Sequence, residues 1–309
     1  MKIYHSLDSF SKLEYGVVTS GTFDGVHLGH HKILSRLLEI SRQSGGESVV
    51  LTFWPHPRTV VSEDSQGLQM LSTIDEKIEL FAKLGIHHLL IIPFTRAFSE
   101  LSSDEFIQQI LVDRIGTKKL VIGYDHRFGR NREGSFEFLQ KNCANYGFEV
   151  EEIPREDIED TAISSSRIRK ALVTGHIEEA NGLLGRPYTL SGTVVKGKQL
   201  GRTIGFPTAN LFLHESYKLV PMNGVYVIYA THQGTRYEGM LNIGVRPTVD
   251  GTIRTIEAHL FDFDKEIYGE DLTLELLHYL RPEQKFDGLD LLVKQIQIDR
   301  ESTAAYFAS

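Results

Sequence analysis

From Gly16 to Pro154 strand-like apolar runs alternate with helical repeats, and past Gly185-Arg186-Pro187 the alternation gives way to strand patterns. GVVTS, SVVLTF, HHLLIIPF and KKLVIG are short runs dense in β-branched and apolar residues, with FEVEEIP as a fifth strand candidate. Between them, HHKILSRLLEISRQSGG, TIDEKIELFAKLG, SSDEFIQQILVDRIG and SFEFLQKNCANYG carry helical spacing. In the first of these Ile33, Leu34, Leu37 and Leu38 share a face and Gly45-Gly46 end the helix, and Thr73 opens the second. Repeated β-α order predicts a parallel sheet with helices on both faces.

The second half reads as YTLSGTVVKG, GVYVIYATH, TRYEGMLNIG, TIEAHLFDF and LTLELLHYL, separated by turn residues such as Gln233-Gly234 and Asp250-Gly251. Helical spacing returns only between about Leu289 and Phe307. The spacing therefore predicts an α/β domain over 1–184 and a small antiparallel barrel with a terminal helix over 185–309. At 309 residues the chain is long enough for two cores.

The net charge of -8 argues against broad nucleic-acid binding, which requires a basic surface, but leaves small anionic substrates open. Cys143 is the only cysteine, so an intrachain disulfide is excluded and an intracellular setting is favoured. MKIYHSLDSF lacks the apolar core of a signal peptide, and no apolar run reaches the roughly 18 residues of a membrane span. The expectation is a cytoplasmic protein with no membrane or nucleic-acid partner.

SGTFDGVHLGH, from Ser20 to His30, packs three glycines, one acid and two histidines into eleven residues between the first strand run and its helix. In an open parallel sheet ligands bind at the carboxyl ends of strands, where helix N-termini point. Amides at a helix start, together with its dipole, favour phosphate, and Gly21 and Gly29 keep the backbone accessible. At i and i+3, His27 and His30 are spaced to face one phosphate and to stabilise charge in a pentavalent transition state. Zinc is the weaker reading, since HExxH spacing and a cysteine cluster are both missing. Histidines that merely begin a surface helix are the bland one.

Three more segments of this half carry polar groups in strand-end or helix-start context. In FWPHPR (Phe53 to Arg58) two prolines stiffen a turn after a strand, and GYDHRFGRNREG (Gly123 to Gly134) sets Asp125 and Arg127 at a strand's carboxyl end. ISSSRIRKALVTG (Ile163 to Gly175) opens a helix with hydroxyls and arginines, which reads either as capping or as a phosphate clamp. In order, these segments resemble the GxFDGVHxGH, FxPHP, GxDFRFG and ISSTxIR motifs of the bacterial FAD synthetase family. His126 stands where that family usually has Phe, and Ser166 where it has Thr.

The resemblance implies a Rossmann-like HxGH nucleotidyltransferase domain that adenylylates FMN. It assigns His27 and His30 to catalysis, and Gly21, Phe23, Asp24, Gly29, Ser165, Ser166 and Arg169 to the nucleotide. Its flavin contacts are His56, Asp125 and Arg127.

In the second half GTVVKGKQ nearly spells a Walker A loop, but Gln199 lacks the required hydroxyl and the context is strand-rich. GKQLGRTIGFPTANL, which reads first as an irregular loop, resembles the GxxxGRxxGFPTANL motif of flavokinases. NIGVRPT, IEAHLFDFD and YGEDLTLELLHYLRPEQKF are similar to the same family. The bland role for Glu257 in its strand is a cross-strand ion pair. The resemblance implies a barrel that phosphorylates riboflavin with ATP, with Glu257 as base, Gly201 and Arg202 on the nucleotide, and Thr208 and Asn210 on Mg²⁺. Riboflavin, FMN, FAD and ATP are then the expected partners, ATP being the co-substrate and Mg²⁺ the cofactor. Rival readings are a kinase with a decayed first domain, a nucleotidyltransferase for another substrate, and a flavin-binding regulator.

Overall fold

The structure is a computed structural model that describes residues 1–62, 67–154, 163–197, 199–248 and 251–309. It divides into two compact units, Met1–Ser165 and Ser166–Ser309, a division that falls before the expected one at 184/185.

The first unit is built on a six-stranded parallel sheet of order β1-β4-β3-β2-β5-β6. Its strands are β1 (Lys2–Tyr4), β2 (Gly16–Ser20), β3 (Glu47–Trp54), β4 (His88–Pro93), β5 (Thr117–Gly123) and β6 (Glu149–Ile153). Successive residues of the central strands feed different cores. Val18, Val49, Leu51, Leu90 and Leu120 point into one, while Val17, Val50, Leu89, Ile91 and Val121 point into the other. This period of two, apolar on both faces, requires cover on both sides. Helices α1 (Leu28–Ser44) and α2 (Ile74–Leu84) cover one face through Leu34, Leu37, Ile40 and Phe81. The π-helical segment Phe106–Ile115 and α3 (Phe136–Tyr146) cover the other through Ile107, Leu111 and Leu139.

Local signals end these helices as the sequence predicts. Thr73 and Glu76 form a reciprocal capping box at the start of α2, and Gly45 closes α1 with φ 68°. Strand order reverses between β2 and β5, so the carboxyl ends of these two strands form the crevice where a sheet of this kind takes its ligand.

The second unit contains α4 (Ser165–Val173, Ser165 itself falling in the first unit), α5 (Ile177–Leu184) and a closed antiparallel barrel. The barrel runs β10-β11-β8-β7-β12-β9, with β7 (Tyr188–Val195), β8 (Ala209–Phe212), β9 (Gly224–His232), β10 (Thr235–Thr248), β11 (Gly251–Leu260) and β12 (Asp271–Arg281). Gln233 (φ 46°) and Gly234 (φ 77°) make the left-handed two-residue turn between β9 and β10. The other expected turn includes Asp250, which lies outside the described residues. Helix α6 (Leu289–Ala308) closes the chain. Its Asp299 takes both arms of the Arg281 guanidinium at 2.8 and 2.6 Å, and its Gln295 also reaches that carboxylate.

Candidate active sites

The GTFDGVH loop leaves β2 at the switch point and ends on His27, the N-cap of α1. Phe23 (φ 47°), Gly25 (φ 84°) and Val26 (φ 39°) are all left-handed, a strained path for two non-glycine residues. His27 Nδ1 accepts from the His30 amide at 3.4 Å, and the two rings stack 3.6 Å apart at 16°. The pair thus forms one slab at the positive end of a 17-residue helix. Phe23 is buried and packs T-shaped against the His30 ring, centroids 5.1 Å apart. Gly29 is buried within the first turn, and Gly21 donates to the Leu51 carbonyl at 3.0 Å.

Asp24 has a bond that its sequence assignment to the nucleotide did not foresee. Its buried carboxylate accepts from the amides of Leu71 (3.0 Å) and Ser72 (3.2 Å), which precede α2. Ser165 Oγ donates to the Asp24 carbonyl at 2.9 Å. Ser166 and Arg169 lie on α4 within the second unit, where the neighbouring Arg167 is paired with Glu179 at 2.7 Å.

His56 caps the short helix Pro57–Val61 at the carboxyl end of β3, accepting from the Arg58 amide at 3.1 Å. Asp125 and Arg127 are exposed just beyond β5, and Arg127 lies 3.9 Å from Glu137. Between them His126 is turned inward. Its Nε2 is 3.2 Å from Ser20 Oγ at the end of β2, so the bond spans the switch point, and its ring stacks on Phe128. Burial, aided by Arg132 and Arg127, pushes its pKa down to about 4.

In the barrel, alternate residues of β11 line two different cavities. Glu257 and His259 open into one of 410 Å³, while Ala258 and Leu260 face one of 350 Å³. Thr208 and Gln199 line both, so Thr208 stands where the two approach each other. Glu257 is directly opposite Asn210 on β8 and Asn242 on β10, and all three border the larger cavity. Met240, Leu241, Phe206 and Ile296 supply that cavity with apolar wall, as a flat aromatic ligand requires. Arg202, Lys265 and Tyr268 line the smaller one, where Arg202 is 3.1 Å from Glu266.

Gly201 has a structural reason to be glycine, because a Cβ there would lie 2.2 Å from the Phe206 carbonyl oxygen. A Cβ on Gly197 would fall 2.5 Å from the Asn210 amide, so that side chain is held in a close backbone cradle. Thr208 and Asn210 offer neutral oxygens. Were Mg²⁺ bound here, these two oxygens would hold it and it would supply charge neutralisation for a phosphate. Among the described residues no group of three or more His, Cys, Asp or Glu is arranged to hold a metal.

A model of FAD synthetase matches residues 10–167 and a model of riboflavin kinase matches residues 184–307. The bifunctional riboflavin kinase/FMN adenylyltransferase of Listeria monocytogenes is 40% identical, over 94% of this chain and 92% of its own. The chain belongs to the bifunctional riboflavin kinase/FMN adenylyltransferase family. The Haemophilus influenzae member is 37% identical and is matched over 100% of both chains. As a member of this ATP-using family the chain phosphorylates riboflavin to FMN and adenylylates FMN to FAD. A solved Streptococcus pneumoniae structure bearing the name macrolide-efflux protein is 32% identical. It covers 98% of both chains at a TM-score of 0.89. Among the described residues no helix is long and apolar enough to cross a membrane.

Several side chains at these family sites escaped the sequence reading. Lys77 is 4% exposed and donates to the Thr22 carbonyl at 3.0 Å. Its signal was present, since it interrupts the apolar stripe Ile74, Ile78, Phe81 of α2. His259 Nδ1 donates to the Pro207 carbonyl at 2.7 Å, extending by a side chain the β8–β11 ladder that ends at Ala209. Burial holds its pKa below the ordinary histidine value. No local pattern announces such a bond.

Proposed function

We propose that the barrel transfers the γ-phosphoryl of ATP to riboflavin across the junction at Thr208. Riboflavin occupies the 410 Å³ cavity and ATP the 350 Å³ cavity. The observation that carries this reading is the alternation along β11, with the carboxylate on one face and a second cavity, lined by Arg202 and Lys265, on the other. Glu257 takes the proton of the ribityl hydroxyl as its oxygen bonds to the γ-phosphorus, and ADP leaves. Thr208 and Asn210 hold Mg²⁺, which when bound neutralises phosphate charge. Arg202 borders the nucleotide, whereas Gly201, expected there from the motif, lines the cavity given to riboflavin.

At the other centre the FMN phosphate oxygen attacks the α-phosphorus of ATP, and the bond to pyrophosphate breaks. Stacked His27 and His30 and the amides opening α1 stabilise the charge on that phosphate, with Gly21, Phe23 and Gly29 shaping the loop. The motif resemblance assigns Ser165, Ser166 and Arg169 to the ATP phosphates and His56, Asp125 and Arg127 to the flavin. For Asp24 we propose a scaffold role, on its bonds to Leu71 and Ser72. The adenylyl-transfer groups fall within 1–184 and the kinase groups within 185–309, with α4 and α5 supporting the barrel, and the setting is the ATP-rich cytoplasm.

Purified protein given riboflavin, ATP and Mg²⁺, with flavins separated by chromatography, tests these roles. His30→Ala is expected to stop at FMN. Glu257→Ala is expected to make little FMN yet still convert supplied FMN to FAD. A His30→Ala protein that makes FAD at the normal rate would remove the histidine from the chemistry.

A further inference from the structure

Helix α2 grips the adenylyl-transfer loop from beneath at three consecutive residues. Lys77 Nζ donates to the Thr22 carbonyl at 3.0 Å, an oxygen that also accepts from Thr52 Oγ1 at 3.3 Å. The next residue, Phe23, packs edge-on against Phe81 at 5.7 Å, one helical turn beyond Lys77. The third, Asp24, accepts from the Leu71 and Ser72 amides that lead into α2. Phe23 is the strained member, at φ 47°, and its ring also packs T-shaped on His30, with centroids 5.1 Å apart. A continuous set of contacts thus runs from α2 through Phe23 to His30.

The lysine is an expensive way to make this grip. An ammonium only 4% exposed on the apolar side of a helix loses hydration that one carbonyl and a nearby carboxylate only partly replace. Its pKa falls to about 8 through burial, against the opposing attraction of Asp24. A methionine would avoid that desolvation but would leave the buried Asp24 carboxylate without its nearby cation and the Thr22 carbonyl without this donor, so the lysine acts on the loop as well as on the fold.

We propose that Lys77 is a positioning residue for adenylyl transfer: its ammonium pins the Thr22 carbonyl, which fixes Phe23 in its left-handed turn and so seats the His30 ring. This rests on the reading of His30 as a group that meets the α-phosphate. Loss of the pin lets the loop relax, misplacing a transition-state donor without removing any substrate contact.

Lys77→Met separates positioning from packing. FMN to FAD conversion is expected to lose about 10- to 100-fold in kcat, the scale of a displacement near 1 Å, with KM for ATP and FMN within about threefold. The first unit is expected to stay folded at the assay temperature, with a lowered unfolding temperature, and riboflavin phosphorylation by the same molecules to be unchanged. Lys77→Arg, which keeps charge and donor, is expected to recover most of the lost kcat. If Lys77→Met yields no folded protein, Lys77→Gln is read by the same measures. A kcat within twofold of the parent in the folded neutral variant would overturn the proposal, as would a loss confined to KM. His30→Ala in parallel keeps the two ideas apart, because a fully active His30→Ala overturns the reading of the site itself.

Discussion

His126 sits where burial and two guanidiniums, of Arg132 and Arg127, all oppose a proton, and its pKa drops from 6.5 to about 4. The sign follows from linkage. Between pH 6.5 and 4 the unfolded chain takes up a proton that the folded chain refuses, so acidification favours unfolding. The stabilisation is complete above pH 6.5 and is lost as pH falls towards 4, at most about 3 kcal/mol for a shift of this size. Trp54, the sole tryptophan, lies in the same unit and reports its unfolding. Urea titrations followed by its fluorescence are expected to show a steeper loss of stability between pH 6.5 and 4 in the parent than in His126→Phe. Identical slopes in the two proteins would mean that the imidazole titrates freely. The same side chain explains how a histidine is tolerated among the rings of this core, since it is held neutral and gives Ser20 a partner at 3.2 Å.

Gly116 ends the Phe106–Ile115 segment and leads into β5 in close contact with the Leu13 backbone. Its φ is +80°, and an added Cβ would lie 2.1 Å from the Leu13 carbonyl oxygen, a backbone atom with no room to yield. Gly116→Ala is therefore expected to cost more than about 2 kcal/mol, read as a lower urea midpoint for the first unit, because strain and collision act together. At this scale the sequence was legible wherever burial writes a period. GVVTS, SVVLTF and HHLLIIPF read as strands because both faces are apolar, and Thr73 announced α2, while its reciprocal partner Glu76 emerged only in the structure. It was silent at β1, a three-residue edge strand of mixed polarity, and at β8, hidden in the Gly- and Pro-dense FPTANL stretch. Two residues of β8 pair with β11, and the bond that continues the contact comes from His259, whose partner is 52 positions away. Motif residues were readable as chemistry, but the hands that hold them were not. Lys77, Leu71 and Ser72 act on the loop across a distance that local spacing does not encode.

The molecule as a whole raises the question of where one machine ends and the next begins. Strand patterning locates the change at Gly185, yet the compact units divide at Ser165/Ser166, and α5 explains the difference. That helix packs on β12 and β7 of the barrel. Asn181 Nδ2 donates to the Leu276 carbonyl at 2.8 Å, beside the β12 register shift, and its Oδ1 accepts from the Tyr188 amide at 2.8 Å. Ile177, Ala180, Leu183 and Leu184 are buried. Upstream, α4 joins the same body through the Leu172 carbonyl, which accepts from Met222 at 2.9 Å. A fragment beginning at 185 loses α4 and α5 together, and with them the buried Ile168, Leu172, Ile177, Leu183 and Leu184, at about 2 kcal/mol each, and the Asn181 bonds, at about 1 kcal/mol each. Even after the entropy recovered by freeing two short helices, a loss of several kcal/mol takes a large share of the roughly 5–15 kcal/mol that holds a domain together. The fragment 166–309 is thus expected to fold and phosphorylate riboflavin, while 185–309 melts well below it and is mostly inactive at 37 °C. Thermal unfolding by circular dichroism and FMN formation measured on both fragments decide the matter. Equal melting temperatures would show that the barrel is self-sufficient and that α4 and α5 merely rest on its surface.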